Sequence, residues 1–477
     1  MEKLNVWNTY NLEMQKKCDD FAKQYMQFLD DCKTERECID RIVCDAEAAG
    51  YIELSRAIEE GRKLKCGDKV YCVWMNKSIA LFHIGEEPME HGINILGAHI
   101  DSPRLDVKQN PVYEDSGFAY LDTHYYGGIK KYLYVAQPLS LHGVVVKKSG
   151  ETVILNVGED EDDPVFFVSD LLIHLSHEQM EKKASVVVEG ENLDLVIGSS
   201  PIIIDAECTS GSKDKEPPKK DAVKEAVLRI LKEQYGFEEE DFESAELEIV
   251  PAGHAREAGF DRSMVLAYGQ DDRVCSYPSF IALLDAADIS RTACCLLVDK
   301  EEIGSVGATG MKSRFFENAL AEVMNLTGEY SDLAMRRALA NSCMLSSDVS
   351  AAYDPLYASA FEKKNAAMMG CGIVFNKFTG RGGKSGSNDA NAEYIAHIRD
   401  IFGKEDIRTQ TSELGKVDIG GGGTIAYILA EYGMNVIDSG VAVLNMHAPY
   451  EAASKADIYE AYRAYKAFLE RADFRNA

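Results

Sequence analysis

The chain has 477 residues, of which 46% are hydrophobic and 27% charged, a balance typical of globular proteins and incompatible with wholesale disorder. This length favours about two domains. The 79 acidic and 51 basic residues give a formal net charge of −28, which repels nucleic acids and anionic membranes, so neither is expected as a partner.

Cysteine usage and the N-terminal segment bear on the cell compartment. The twelve cysteines are scattered without a CxxC pair, which favours reduced, mostly buried thiols over a disulfide framework. The N-terminus lacks a basic region followed by an apolar stretch, and no apolar run is long enough to span a bilayer. A cytoplasmic protein is therefore expected.

The first hundred residues are predicted to begin an α/β domain. The first sixty are expected to be helical, with a capping box formed by Thr34 and Glu37 at the start of one helix. Residues 70–84 alternate like a pair of strands, and residues 93–98 form a short apolar run typical of a buried strand.

Residues 108–245 are predicted to form a β-rich domain inserted into the first one. Short strand-like pieces at 139–146, 151–157 and 184–188 are separated by glycines and charged turns. They are followed by a polar loop at 208–220 and an amphipathic helix at 222–235. The α/β domain, expected to be the catalytic one, would thus consist of residues 1–107 and 246–477.

The second part of the α/β domain alternates strand-like runs with helices. Runs at 293–298, 343–346 and 441–446 are apolar, and residues 424–432 are helical in pattern. This alternation is typical of a sheet covered by helices on both faces. The predicted fold class is therefore α/β, with a central mixed sheet and an inserted β-rich domain.

Histidine and carboxylate side chains follow five of the predicted strands. Ligands of open α/β sheets bind beyond the carboxyl ends of the strands, so we expect these side chains to meet at one edge of a sheet. Two imidazoles with three or four carboxylates suit zinc, manganese or cobalt. The residues are His99 and Asp101, Asp271 and Asp272, Asp299 with Glu301 and Glu302, Asp348, and His447.

The spacing of these residues suggests roles for some of them. Asp101, two residues after His99 on an extended strand, points the same way and can accept the free imidazole N–H. The neighbouring side chains of Glu301 and Glu302 diverge, so one can bind metal while the other acts as a general base. Asp271, in a tight turn, is the candidate for a carboxylate that bridges two metals. This layout predicts a two-metal hydrolase.

Each of these signals is weak by itself. A histidine at a strand end is usually only hydrogen-bonded in place, and Asp-Asp before a helix is commonly an N-cap. The glycines at 420–423, followed by Thr424, could cradle a phosphate at a helix N-terminus. They lack the Lys-Ser/Thr of a P-loop, and we interpret them as backbone that lines a substrate cleft.

Five motifs in a fixed order carry a family resemblance. They are Gly97-Ala-His99-Ile-Asp101-Ser-Pro103, Gln270-Asp271-Asp272-Arg273, Asp299-Lys-Glu301-Glu302-Ile-Gly-Ser305, Ser347-Asp348-Val349 and Met446-His447. With these motifs the sequence resembles the aspartyl aminopeptidase-like zinc metallopeptidases. The resemblance implies an aminopeptidase that hydrolyses the N-terminal peptide bond of peptides. It also implies two divalent metal ions as cofactors, with zinc as the preferred metal and manganese or cobalt as alternatives.

The resemblance also implies residue roles and an assembly. Asp101 would orient His99 and Glu301 would be the base. The insert would pair subunits into dimers that form a tetrahedral dodecamer, and His174 would reach a neighbouring subunit's active site. The alternative for His174 is a partly buried structural histidine. One ion would be held by His99, Asp271 and Asp348, and the other by Asp271, Glu302 and His447.

The sequence leaves open the preferred first residue of the substrate and several alternative functions. The family usually carries Asp-Arg before Pro-Leu-Ser, where this chain has Ala136-Gln137, and the basic specificity residue would be Lys377 or Lys384. Both a preference for acidic first residues and a broader specificity are compatible with this. Alternative functions are a deblocking or glutamyl aminopeptidase of the same clan, a deacetylase or amidase, and a metal-stabilised assembly protein without turnover.

Overall fold

The computed structural model describes residues 3–201 and 220–475. Its helices are α1 (Leu12–Asp31), α2 (Glu35–Ala48), α3 (Leu54–Glu59), α4 (His177–Met180), α5 (Ala222–Ile230), α6 (Gln270–Asp285), α7 (Phe315–Thr327), α8 (Asp332–Asn341), α9 (Ala392–Lys404), α10 (Ala426–Ala430) and α11 (Lys455–Arg471). In the described part of the chain, no helix combines the length and the apolar character needed to cross a membrane.

The strands are β1 (Ile52–Glu53), β2 (Lys69–Trp74), β3 (Ser78–His83), β4 (Asn94–His99), β5 (Arg104–Asp115), β6 (Phe118–Tyr126), β7 (Leu139–Val146), β8 (Thr152–Val157), β9 (Phe167–Val168), β10 (Leu195–Gly198), β11 (Ala245–Pro251), β12 (Arg256–Ala258), β13 (Met264–Ala267), β14 (Ala293–Val298), β15 (Cys343–Ser346), β16 (Ser350–Ala351), β17 (Ile373–Asn376), β18 (Thr409–Thr411), β19 (Asn435–Gly440), β20 (Ala442–Leu444) and β21 (Glu451–Ser454).

The chain divides into two compact units. The first takes in the chain up to Ser102, Ala255–Met446 and the chain from Tyr450 onward. The second consists of Pro103–His254 with His447–Pro449. The domain boundaries expected from the sequence stay predictions.

A nine-stranded mixed sheet forms the centre of the first unit, in the order β1-β2-β3-β14-β4-β15-β19-β17-β18. Its four central strands, β14, β4, β15 and β19, run parallel to one another. Every residue of these four strands is buried. Strands that are buried along their whole length are expected where helices cover a parallel sheet on both faces. The α/β prediction is confirmed.

Helices pack on both faces of this sheet because alternate strand residues point to opposite sides. Leu96 of β4 belongs to a core cluster with residues of α1, α2, α6, α9 and α11. Ile95, the preceding residue, belongs to a second cluster with residues of α3, α7, α8 and α10. The capping box at α2 is confirmed, since Glu37 N donates to Thr34 Oγ1 and Thr34 N donates to Glu37 Oε2.

A separate five-stranded sheet, in the order β12-β13-β21-β20-β16, also belongs to the first unit. The expectation that the five strands preceding the site residues belong to one sheet is therefore wrong. β4, β14 and β15 lie side by side in the nine-stranded sheet, whereas β13 and β20 both pair antiparallel with β21. In β13 buried and half-buried residues alternate, as on a one-sided antiparallel strand, but all four are apolar, so the sequence conceals the alternation.

The second unit is built on a seven-stranded antiparallel sheet, in the order β8-β7-β11-β5-β6-β10-β9. The strands predicted at 139–146 and 151–157 are confirmed, whereas the one predicted at 184–188 is wrong. Residues 184–186 form an exposed 3₁₀ turn, and Val188 enters the core of this unit with Val187 packed against it. The predicted helix is present as α5 followed by a π-helical turn, Leu231–Tyr235. The predicted loop at 208–220 lies, up to residue 219, outside the described residues.

Arg291 forms hydrogen bonds with several backbone segments at the amino ends of the central strands. Its side chain is 1% exposed and precedes β14 by two residues. The guanidinium donates to four backbone carbonyls, which lie before β4, at the end of α8 and in the C-terminal segment. These carbonyls belong to Gly92 (3.1 Å), His91 (2.8 Å), Asn341 (2.6 Å) and Phe474 (3.0 Å).

Replacing Arg291 by leucine is expected to lower the thermal unfolding midpoint clearly. Buried carbonyls left without donors cost roughly 1–3 kcal/mol each. The matched control is Arg337→Leu, because Arg337 is half exposed and its ion pair with Glu90, 3.0 Å, is of the surface kind that contributes at most about 1 kcal/mol. Differential scanning fluorimetry measures both variants, and equal midpoints would contradict the role given to Arg291.

Candidate metal centre

Three adjacent parallel strands bring acidic and histidine residues to one edge of the nine-stranded sheet. β4 ends at His99, and the register places Val298, the last residue of β14, opposite it. On the other side Ser346, the last residue of β15, lies opposite Gly97. The segments that follow these strands carry Asp101, the Glu301-Glu302 pair and Asp348, so the fold gathers them where the sequence analysis expected a site.

His99 is the most enclosed member of the site, with 1% of its surface exposed. Its Nδ1 lies 3.0 Å from the backbone oxygen of Asp101 and 3.3 Å from Asp101 Oδ1. Its Nε2 lies 3.2 Å from Asp271 Oδ1, although among the described residues it has no hydrogen bond of normal geometry. A nitrogen that faces a carboxylate in this way suits a shared cation better than a direct bond.

Asp271 lies at the start of α6, where its backbone and that of Asp272 depart from helical geometry. The Asp271 amide donates to Glu451 Oε2 at 3.0 Å, and the Ser102 hydroxyl donates to the Asp271 carbonyl at 2.7 Å. These two contacts hold the turn in place. Sequence reasoning missed Glu451 entirely, and Ser102 was present only as a motif residue.

Two groups of side chains in the first unit have ligand atoms close enough to hold an ion. In each group the ligand atoms all lie within 4.8 Å of one another. The first group is His99, Asp271 and Asp348, and the second is His99, Glu301 and Glu302. Imidazole and carboxylate donors are the set that zinc accepts, so the residues fit the metal. Asp272 is buried but belongs to no such group among the described residues.

Asp101 contacts both His99 and the turn that carries Glu301 and Glu302. Besides facing His99, its carboxylate accepts the backbone N–H of Glu301 on Oδ1 and that of Glu302 on Oδ2, each at 3.1 Å. One buried carboxylate therefore links the imidazole to the turn that carries both glutamates. The sequence predicted the first contact from spacing, but the second joins residues 200 positions apart and has no local signal.

The crowding of carboxylates in the buried site shifts the pKa values of its ionisable side chains. Burial raises the pKa of Asp348 well above its usual range, and the nearby Glu301 carboxylate adds to the shift. Burial lowers the pKa of His99, but the adjacent Asp101 and Asp271 carboxylates outweigh burial and hold that pKa well above its usual value. Like charges in a buried site repel one another, and a divalent cation among them removes that cost.

Asp299 shapes the segment that carries Glu301 and Glu302. Its carboxylate accepts the Thr309 hydroxyl at 2.6 Å and the Lys300 amide at 2.7 Å, and burial raises its pKa to about 7. Lys300 has a φ of +68°, a left-handed conformation that is uncommon outside glycine. Asp299 therefore holds a strained turn and belongs to no candidate ligand group of the described residues.

Two predicted site histidines lie in the second unit. His447 is half-buried, and its Nδ1 lies 2.9 Å from the Gly128 carbonyl oxygen. His174 is exposed in a 3₁₀ turn, Ile173–Leu175. Partial burial of His174, which the alternative interpretation as a structural histidine expected, is therefore not seen within its own unit, and the role of His174 stays a prediction.

Comparison with known proteins establishes the family. The family described as aminopeptidase I zinc metalloprotease (M18) matches residues 28–469. The chain belongs to this family. A protein of Clostridium acetobutylicum described as a probable M18 family aminopeptidase 1 is 57% identical over 465 residues, which cover 98% of this chain and 97% of the relative.

Solved structures agree with this assignment. The crystal structure of aminopeptidase I from Clostridium acetobutylicum has a TM-score of 0.89 at 55% identity and covers 99% of this chain and 100% of that one. The M18 aminopeptidase of Thermotoga maritima has a TM-score of 0.90 at 42% identity, covering 98% and 99%. More distant matches include a probable aspartyl aminopeptidase of Ricinus communis, 25% identical, and the yeast mApe1 dodecamer, 20% identical with a TM-score of 0.74.

Family membership decides between the functions that the sequence left open. The chain is a metalloaminopeptidase, a hydrolase of the M18 family, and zinc is its cofactor. The resemblance noted from the motifs is confirmed. A deacetylase, an assembly protein without turnover and an enzyme of the deblocking or glutamyl branch are set aside.

Proposed function

We propose that this aminopeptidase hydrolyses N-terminal peptide bonds with two metal ions and with Glu301 as the general base. The observation that supports this most directly is the Asp101 carboxylate, which contacts His99 and both amides of the Glu301-Glu302 turn. When bound, the ions would lower the pKa of a water and polarise the scissile carbonyl. Glu301 would take the proton of that water and pass it to the leaving amine.

The proposed ligands follow from donor geometry and from the motifs. His99, Asp271 and Asp348 would hold one ion, since their ligand atoms already lie together. Asp271 would be shared with the other ion, whose further ligands we propose to be Glu302 and His447. The Gly128 carbonyl can accept the Nδ1 proton of His447, which leaves the ring lone pair on Nε2, the tautomer needed for metal binding. We propose that manganese or cobalt can replace zinc at these positions, because they accept the same imidazole and carboxylate donors.

We propose a broad preference for the first residue of the peptide instead of a strict preference for acidic ones. The two lysines considered for specificity share one counter-ion, because Lys377 Nζ and Lys384 Nζ lie 2.7 Å and 3.3 Å from the two oxygens of Asp389. Lys384 Nζ also lies 3.7 Å from the centre of the Phe378 ring. Both cations are therefore partly neutralised, which weakens their attraction for a substrate carboxylate.

A panel of aminoacyl chromogenic substrates tests both the activity and this preference. We expect cleavage of neutral first residues by the wild type, and Asp389→Asn should raise the kcat/KM for glutamyl over leucyl substrates about tenfold, the effect of about 1.4 kcal/mol of charge–charge attraction. Asp400→Asn is the control, because it removes the partner of the exposed Lys404 on α9. An unchanged ratio would remove both lysines from specificity, and a wild type inactive on all substrates would contradict the function.

We propose that the protein acts as a homo-oligomer in the cytoplasm, with the second unit pairing subunits and dimers forming a dodecamer. Leu172, Ile173 and Leu175, beside His174, are 54%, 69% and 67% exposed, and a contiguous apolar patch of this kind is typical of an interface. The described cysteines are all free thiols, as in a reducing compartment. The yeast mApe1 dodecamer, which shares the fold, supports the assembly as a proposal.

Mixing two variants of lowered activity, His174→Phe and Glu301→Gln, tests whether His174 serves a neighbouring subunit. His174→Phe is expected to lower activity without loss of metal, and hybrids with Glu301→Gln should regain activity, because a site with an intact base then receives an intact histidine. His177→Phe, an exposed histidine of α4, is the control and should keep wild-type activity. A fully active monomer, or no recovery in hybrids shown to have formed, would contradict the shared site.

A further inference from the structure

Arg273 lies on α6, two residues after Asp271, and only 1% of its surface is exposed. Its Nη2 donates to two backbone carbonyls, that of Ile100 at 3.2 Å and that of Lys33 at 2.9 Å. Ile100 directly follows His99, and Lys33 lies in the connection between α1 and α2. One guanidinium nitrogen therefore ties the start of α6 to the segment that follows β4 and to a helix connection.

The carbonyl that Arg273 binds belongs to the peptide link between Ile100 and Asp101. The Ile100 amide donates to the Val298 carbonyl at 2.9 Å, a bond that continues the pairing of β4 with β14. The chain leaves β4 at this point, so the Ile100 carbonyl is a buried acceptor that needs a donor from elsewhere. Arg273 supplies that donor, and the orientation of this peptide link decides where the Asp101 carboxylate lies.

The Lys33 carbonyl gives the guanidinium a fixed point of attachment. Lys33 is 3% exposed. Its amide and that of Thr34 both donate to Glu37 Oε2, at 2.8 Å and 2.9 Å. The connection that carries the Lys33 carbonyl is thus held in place by the start of α2. Arg273 can therefore hold the Ile100 carbonyl at a constant distance from α6.

The hydrogen bonding of Arg273 differs from that of Arg291, the buried arginine at the amino ends of the central strands. In Arg291 all three guanidinium nitrogens donate to carbonyls. In Arg273 neither Nε nor Nη1 has a hydrogen-bond partner among the described residues, and the guanidinium carbon lies 5.6 Å from the centre of the Tyr268 ring. Unused donors on a buried cation cost free energy, so stability alone does not account for Arg273.

Gly269 leaves the space that this guanidinium occupies. The φ of Gly269 is +70°, and a Cβ on it would lie 1.9 Å from Arg273 Nη1. Gly269 directly precedes α6 and is two residues before Asp271. The backbone at the start of α6 is therefore built to admit the arginine beneath the turn that carries Asp271.

We propose that Arg273 is a positioning residue of the metal centre: its two hydrogen bonds fix the separation of His99 and Asp271, whose ligand atoms face each other across 3.2 Å. The inference rests on the proposed function, in which these two residues hold the same ion. Arg273 belongs to no candidate ligand group of the described residues and acts through the Ile100 carbonyl. Its loss should weaken zinc binding about 10- to 100-fold, as the loss of a group that orients a metal ligand does.

Two matched substitutions, Arg273→Lys and Arg291→Lys, separate positioning from a merely structural role. Each keeps the buried charge and removes the fork of donors, so a structural role predicts similar zinc binding in both. Zinc is titrated into the metal-stripped full-length chain in competition with a chelating dye. We expect at least about tenfold weaker zinc binding in Arg273→Lys, and binding within about twofold of the wild type in Arg291→Lys. Equal zinc affinity in the two variants would overturn the proposal.

Gly269→Ala tests the same contact with the arginine left in place, and decides the role if Arg273→Lys does not fold. The new Cβ would displace the guanidinium, so zinc binding should weaken as in Arg273→Lys. Gly328→Ala is the control, because Gly328 also has a left-handed φ, +82°, but a Cβ on it would meet no other described group within 4 Å. Wild-type zinc binding in Gly269→Ala would overturn the proposal. A wild type that binds zinc but cleaves no aminoacyl substrate would contradict the proposed function, while the zinc titration still decides the role of Arg273.

Discussion

Glu301→Gln is expected to lower kcat about 100- to 10,000-fold while the enzyme keeps its full metal content. The amide has the size of the carboxylate but cannot accept a proton at neutral pH. The backbone contact that places this residue, Glu301 N to Asp101 Oδ1 at 3.1 Å, does not involve the side chain and survives the change. The fold around the site should therefore be preserved, and the loss should appear in the chemical step.

Elemental analysis beside steady-state kinetics checks this expectation. Glu302→Gln is the matched variant, because it changes the neighbouring residue of the same turn, whose amide is held by the same carboxylate. It should lose metal, since Glu302 is the proposed ligand. If the Glu301→Gln protein proved stripped of metal and the Glu302→Gln protein did not, the two roles would have to be exchanged.

The part of this site that the sequence predicts lies on β4, β14 and β15. Each strand is a mostly apolar run that ends in a histidine or is followed within two residues by a carboxylate, so local pattern alone indicates both the strand and the candidate site residue. The His99–Asp101 contact follows in the same way, because residues two apart on an extended strand point to the same side. The family motifs coincide with these local features.

The remainder depends on contacts that no local pattern encodes. Glu451 holds the Asp271 amide across 180 positions of sequence, and β13 joins a different sheet although its four residues read as a continuous apolar run. Sheet membership and such long-range hydrogen bonds are decided by the tertiary fold, so sequence periodicity cannot specify them.

Asp271→Ala is expected to have the largest effect on metal content, lowering it from the proposed two ions per chain to less than about one and abolishing measurable turnover. Asp271 Oδ1 faces His99 Nε2 at 3.2 Å, and the carboxylate belongs to the group with Asp348. Removing it takes a ligand from the ion that we propose for these residues and, as the proposed bridge, from the second ion as well. His447→Ala, by contrast, should weaken the binding of one ion only.

Asp272→Asn is the decisive comparison for the metal loss expected of Asp271→Ala. Asp272 is the adjacent carboxylate and is completely buried, but it belongs to no candidate ligand group in the part of the chain that the structure describes. Burial raises the pKa of Asp272 well above the usual range and so favours its neutral form. Asparagine, which is neutral and of the same size, is therefore a mild replacement. Asp272→Asn should retain its metal after dialysis against a weak chelator, while Asp271→Ala should lose it with little change in the unfolding midpoint of the metal-free protein. The opposite order of metal loss would assign the shared ligand to Asp272 and shift the proposed bridge by one residue.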